Sequence, residues 1–211
     1  MSESTPNGRP QPRTGKSLKA QQRRREILQI AMDTFAARGY NNASLQEIAD
    51  RAGVTQAGVL HYFRSKAQLL TSVLALRDET DIEQLGSERP RGLAFLRHLV
   101  DTAHRNAERE GIVRLYTVLS AESVTEGHPA QEYFRDRYAG LRNFVTEALT
   151  EACELGEVRA ELNVEHTANA IIAVMDGLQV QWLLAPDAVD MAASTDRVIT
   201  ALLADLTASR T

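Results

Sequence analysis

The sequence predicts an all-α protein: an N-terminal three-helix unit built on a helix-turn-helix, followed by a larger helical body. Three observations point there. No stretch sustains the period-two alternation of a half-buried strand, and turn signals lie far apart. Apolar residues instead recur at spacings of three and four along most of the chain. Residues 44–66 read as two short helices around a tight glycine turn.

Residues 1–17 are rich in Pro, Gly, Ser, Thr and Arg and hold almost no large apolar side chain. They cannot bury a core, and a disordered basic arm is expected. Arg9, Arg13 and Lys16 allow two readings, a solvated tail or an arm laid along a nucleic-acid minor groove. A helix follows from about Leu18 to Arg38, with Ile27, Ile30, Ala31 and Phe35 as its stripe and Gly39 as its stop. The run Arg23-Arg24-Arg25 suits either phosphate or a solvated face.

Ser44 then stands as an N-cap, and Glu47 three residues on completes a capping box. Leu45, Ile48 and Ala49 supply the apolar side of this helix, and Gly53 ends it. Val54 fills the turn, Thr55 caps the second helix, and Val59 and Phe63 face inward. Outward lie Gln56, Ala57, Gly58, Leu60, His61 and Tyr62. Short or uncharged side chains near the start of such a helix suit insertion into a DNA major groove. The plainer alternative is a helical hairpin with a solvated face. Ser65 and Lys66 open a fourth helix, to about Leu85, with Leu69, Leu70, Val73 and Leu76 inward. Asp78, Glu79, Asp81 and Glu83 read as its solvated acidic face. Residues 86–90 form a linker, so the divisions are 1–17, 18–85 and 86–211.

In the body, helices are expected over Pro90–Glu108, Ile112–Ser123, Ala130–Leu155 and Val164–Ala185, then a final one capped by Asp187. The segment from Val164 is apolar on nearly every side and needs cover on two faces. The final helix has its own stripe of Val189, Ala192, Val198, Leu202 and Leu206. Together they predict a four-helix homodimer interface through Ile172, Leu178, Trp182, Val198, Leu202 and Leu206.

The net charge of −4 conceals a division. Residues 1–66 carry 11 Lys and Arg against 5 Asp and Glu, while residues 67–211 carry 13 against 23. The basic end holds the helix-turn-helix, as phosphate binding requires, and the acidic remainder should face away from DNA. No apolar run reaches membrane-spanning length and the N-terminus lacks a signal-peptide core, so a cytoplasmic protein is expected. The single Cys153 excludes an intrachain disulfide. There is no Gly-rich phosphate loop, nucleophile elbow or Cys-x-x-Cys, and His98 and His104 are too far apart in sequence for a helical metal pair. Neither catalysis, a metal nor a cofactor is called for.

Three ordered stretches carry a resemblance: Ile-Leu-Gln-Ile-Ala-Met-Asp-Thr-Phe-Ala-Ala-Arg-Gly-Tyr, Ser-Leu-Gln-Glu-Ile-Ala-Asp-Arg-Ala-Gly-Val-Thr, and His-Tyr-Phe-Arg-Ser-Lys-Ala-Gln-Leu-Leu. From Arg25 to Leu70 the chain resembles the DNA-binding domain of the TetR family of transcriptional regulators. Met-Asp-Gly-Leu-Gln-Val-Gln-Trp-Leu resembles part of that family's C-terminal domain. Leu60 departs from the tyrosine that many members carry, and Gly58 weakens its helix by about 1 kcal/mol relative to alanine. The resemblance implies a repressor that binds a palindromic double-stranded operator as a homodimer and is released by a small-molecule effector. It implies base reading by Gln56, whose amide suits adenine, and by Gln46. Phosphate contacts fall to Ser44, Thr55, Tyr62 and Lys66, while Ala57, Gly58 and His61 complete the DNA-facing surface. An effector cavity is expected among Phe95, Tyr116, Tyr138, Phe144 and Met175, each also readable as plain core. An architectural DNA-binding protein and an enzyme with a borrowed fold are the alternatives; insensitivity to every metabolite or turnover of a bound one would favour them.

Overall fold

A computed structural model describes residues 15–85, 90–158 and 161–207. Among them every regular element is an α-helix: α1 (Gly15–Asn42), α2 (Leu45–Arg51), α3 (Gln56–Tyr62), α4 (Lys66–Leu85), α5 (Gly92–Ala107), α6 (Glu110–Glu122), α7 (Gln131–Glu154), α8 (Val164–Leu184) and α9 (Met191–Thr207). The all-α expectation therefore holds, and α4 has the predicted bounds.

Each early break has a side-chain cause. Gly39 (φ 72°) interrupts α1, leaving Tyr40–Asn42 as a separate turn. Gly53 sits at φ 64° between α2 and α3, a conformation a Cβ would strain. Ser65 Oγ accepts the Gln68 amide at 3.1 Å, and Gln68 Oε1 accepts the Arg64 amide at 2.7 Å. This reciprocal pair fixes where α4 starts.

Two apolar cores result. The first joins Ile27, Phe35, Ile48, Val59, Phe63 and Leu70 to Leu115, Leu119 and Phe134. It crosses the boundary expected near residue 86, because α6 lies against α1. The second gathers Leu96, Val145, Leu149, Ile171, Ile199 and Leu206 from α5, α7, α8 and α9.

Several expectations change. Residues 15–17 of the expected disordered arm belong to α1; positions 1–14 and the linker at 86–89 lie outside the described residues. The final helix is capped by Asp190, whose Oδ1 accepts the Ala193 amide at 2.9 Å. Asp187 is spent in a turn that returns the Val189 amide to the Ala185 carbonyl. Leu206 is 1% exposed inside this chain's own core, so it has no surface left for a partner. Ile172, Leu178, Trp182 and Leu202 are half-buried, and Val198 is 39% exposed. Val180 and Leu184 are also exposed, Leu184 at 80%, but two residues on from Leu178 and Trp182 they lie on the other side of α8.

Candidate DNA interface and interior polar cluster

The helix-turn-helix is held by short, local bonds. Ser44 Oγ accepts the Glu47 amide at 3.0 Å, and Thr55 Oγ1 accepts the Gly58 amide at 3.0 Å. The Glu47 carboxylate does not return to Ser44 as a full capping box requires; it faces Arg38 Nε at 3.6 Å. Val59 and Phe63 are buried, which turns Gln56, Ala57, Leu60 and His61 outward. Tyr62 is half-buried, edge-on to His61. A Cβ at Gly58 would lie 3.3 Å from Val54 Cβ and 3.4 Å from Thr55 Oγ1. That close fit to the turn accounts for the glycine without appeal to DNA.

Gln46 is exposed on α2 and donates to Asp50 Oδ1 at 2.7 Å. Lys66 is more engaged than the sequence implied. Its Nζ stands 4.5 Å from the Tyr40 ring centroid and donates to the Asn41 carbonyl at 3.4 Å. Burial lowers its pKa, partly opposed by the charge of Glu122. The arginine run resolves in part: Arg23 donates to the Ala52 carbonyl at 3.3 Å, and the Arg24 guanidinium lies 4.9 Å from the Phe63 ring centroid. Both brace the motif from behind; sequence spacing alone held no sign of these partners.

The expected effector residues do not form one group. Phe95 is buried in the second core and Met175 packs against it. Phe144 is 45% exposed, because it lies off the α7 stripe defined by Val145 and Leu149. Tyr116 and Tyr138 join a polar cluster that the sequence did not reveal. Tyr133 donates to Asp78 Oδ1 at 2.8 Å and Tyr116 to the same oxygen at 3.1 Å, with the two hydroxyls in mutual contact. Arg137 lies 3.5 Å from Asp78 Oδ1 and 4.6 Å from the Tyr116 ring centroid. Tyr138 donates to Asp176 Oδ2 at 2.8 Å.

Burial is the leading influence on three of these groups. It raises the Tyr133 hydroxyl, pushes Tyr138 up to about 12 and raises Asp176. Four helices contribute: α4, α6, α7 and α8. Asp78 is thus engaged by three side chains of the body although its own side chain is 35% exposed; Glu79, Asp81 and Glu83 have side chains outside the description. The signal for Asp78 was its spacing of four from Leu74 and eight from Leu70, both buried. The signal for Asp176 was a lone carboxylate in the apolar run of α8.

Comparison with known proteins matches residues 27–73 to the family described as bacterial regulatory proteins, tetR family. Residues 91–208 match the C-terminal family described as BetI-type transcriptional repressor. A probable HTH-type transcriptional regulator, ArpR of Pseudomonas putida, is 30% identical over 84% of this chain and 88% of its own. A transcriptional regulator FadR from Bacillus subtilis, solved with stearoyl-CoA, superposes with TM-score 0.71 at 20% identity over 85% and 97% of the two chains. A transcriptional regulator from Saccharomonospora viridis, solved with choline, gives 0.71 at 20% identity over 87% and 96%. At that identity the two structures speak for the fold.

Proposed function

The chain belongs to the TetR family of DNA-binding bacterial transcriptional regulators, and we propose that it is a repressor that binds a palindromic operator as a homodimer and releases it when a small molecule occupies the body. One observation carries this reading. Helix α4 has Lys66 at the DNA-reading end and Asp78 in the tyrosine cluster, 12 residues on, or about 18 Å along one helix. Whatever displaces Asp78 therefore moves Lys66. The effector site is the cluster of Tyr116, Tyr133, Tyr138, Arg137, Asp78 and Asp176.

Ser44, Thr55, Tyr62 and Lys66 contact phosphate and position the motif. Gln56 reads a base, with Gln46 flanking it; Ala57, Gly58 and His61 fill the groove between. The second subunit docks on the open face formed by Ile172, Leu178, Trp182, Val198 and Leu202, placing two recognition helices on two half-sites. The effector changes in occupancy, not in chemistry, so the protein is not an enzyme. No helix among the described residues is long and apolar enough to cross a membrane, which accords with a cytoplasmic site of action.

A ligand acts only by favouring the state that cannot bind DNA. Reciprocity then requires DNA to weaken ligand binding by the same factor, about 5- to 150-fold in coupled systems. The test is calorimetric titration of a compound found by thermal-shift screening, with and without a duplex selected by the protein from a random pool. The reading requires weaker ligand binding to the DNA complex and recovery of the ligand unchanged. Equal affinity in both titrations refutes induction by that compound.

A further inference from the structure

The reader and the body meet where the end of α6 reaches the turn after α1. Glu122, the last residue of α6, accepts the Tyr40 backbone amide on Oε2 at 2.6 Å. A Cβ at Gly39 would displace this carboxylate, and the φ of 72° itself favours glycine there. The Tyr40 peptide is also the seat of Lys66, through the Tyr40 ring and the adjacent Asn41 carbonyl. Glu122 thus fixes the backbone on which Lys66 rests.

A second donor waits beside the same carboxylate. His128 follows α6 in the loop before α7, and its side chain is 3% exposed. Its Nδ1 accepts the Ala130 amide at 3.2 Å, so the neutral ring carries its proton on Nε2. Nε2 has no hydrogen-bond partner and stands 3.8 Å from Glu122 Oε2. That is too long for a hydrogen bond, by somewhat under an ångström. Glu122 therefore lies between a donor it holds and a buried donor it does not. Tyr116 of the polar cluster lies six residues earlier on α6, about 9 Å along the helix.

We propose that Glu122 is a positioning residue for DNA binding: it holds the Tyr40 turn that seats Lys66, and His128 Nε2 takes the carboxylate when α6 shifts. Lys66 then loses its seat without any group on the recognition helix having moved.

This rests on Lys66 as a phosphate contact, and the experiment separates the two claims. Full-length protein is titrated with a duplex selected by the wild type from a random pool, over a range of salt. Lys66→Ala should lower affinity and reduce the salt slope by about one unit. Glu122→Ala and Glu122→Asp, which withdraws the carboxylate by one carbon, should each weaken binding about tenfold. Each should lower the salt slope by the same amount as Lys66→Ala. Glu122→Gln keeps an acceptor oxygen and should restore most of the affinity. In the Lys66→Ala background, Glu122→Ala should have no further effect, as non-additivity through a shared residue demands. His128→Asn keeps an acceptor for Ala130 but removes the competing donor, and should raise affinity about two- to threefold.

If Lys66→Ala changes neither affinity nor slope, the Lys66 contact fails and this inference with it. If Lys66→Ala acts as expected but the Glu122 variants weaken binding with an unchanged slope, or add to Lys66→Ala, Glu122 is merely structural and only the inference fails. A His128→Asn variant with unchanged or lower affinity overturns the exchange of donors.

Discussion

The two ends of the molecule hold their polar groups in different ways. In the reader, the bonds that cap the helix starts span three residues: Ser44 to the Glu47 amide, Thr55 to the Gly58 amide, Ser65 to the Gln68 amide. In the body, Tyr133 reaches Asp78 across 55 positions, and Tyr138 reaches Asp176 across 38. The reader is a locally specified shape that must stay constant against DNA. The body's polar interior exists only when four helices are assembled, so it responds to anything that changes their assembly.

The first core blurs this division, since reader and body share it. Phe35 is fully buried there and packs against the Tyr40 ring at a tilt of 38°. Phe35→Ala should cost about 4 kcal/mol through lost burial and the cavity left behind. Because Leu115 and Phe134 belong to the same core, reader and body should lose structure in one earlier transition by circular dichroism. Two separate transitions would mean that the shared core does not couple them.

The next effect concerns the face left open by α8 and α9. Leu202 also packs on the second core, so a charge there would confuse folding with association. Val198 is the cleaner probe. Val198→Asp should weaken dimerisation by about 3 kcal/mol, the cost of burying an unpaired charge. Sedimentation should report monomers, and DNA affinity should fall with the reader untouched. A mutant that remains dimeric and folded moves the interface off this face.

What could be read from the sequence follows the same contrast. Ser44, Gly53, Thr55, Val59 and Phe63 announce their roles within a few residues, and the structure gives them those positions. Tyr116 and Tyr138 were singled out as aromatics, but their carboxylate partners lie on other helices, beyond the reach of any local pattern. Phe144 and Leu206 failed for other reasons. A helical stripe does not say which neighbour covers it, so it placed a core leucine outside. Phe144 was expected inside only from the resemblance and its aromatic ring, against the stripe of its own helix. Asp187 lost the cap to Asp190 because both stand near the helix start, and only the turn at residues 185–189 decides between them.

The cluster also yields a prediction in which two substitutions at one hydrogen bond have opposite signs. Tyr138→Phe deletes the hydroxyl that Asp176 uses, leaving a buried carboxylate short of a donor at a cost of about 2 kcal/mol. Asp176→Asn keeps an acceptor for Tyr138 and removes a charge that burial disfavours. Burial raises the folded pKa of Asp176 above its unfolded value. Its favourable contribution is therefore fully present below the unfolded pKa and is lost as pH rises through the folded one. At pH 7 Asp176→Asn should melt higher than the wild type, and the gap should close as pH falls into the carboxylate range. A gap that widens in acid would reverse the assignment of burial as the cause.

The smallest effect makes the sharpest test, because it compares like with like. Thr55 caps α3 in the reader, and Asn163 caps α8 in the body by accepting the His166 amide on Oδ1 at 3.0 Å. Each cap satisfies one amide at a helix start, and replacing either by alanine should cost about 1 kcal/mol of stability. The two substitutions should therefore be close to indistinguishable by thermal melting. DNA binding should separate them. Thr55→Ala frees the first turn of α3, where Gly58 fits closely against Val54, and removes a proposed uncharged phosphate contact, so affinity should fall severalfold while the salt slope, which counts cationic contacts, stays the same. Asn163→Ala disturbs only a helix start in the body and should leave affinity unchanged, measured at a temperature where each variant is fully folded. Equal losses of affinity would mean that stability alone governs DNA binding here, and the distinction between a fixed reader and a responsive body would fall with that result.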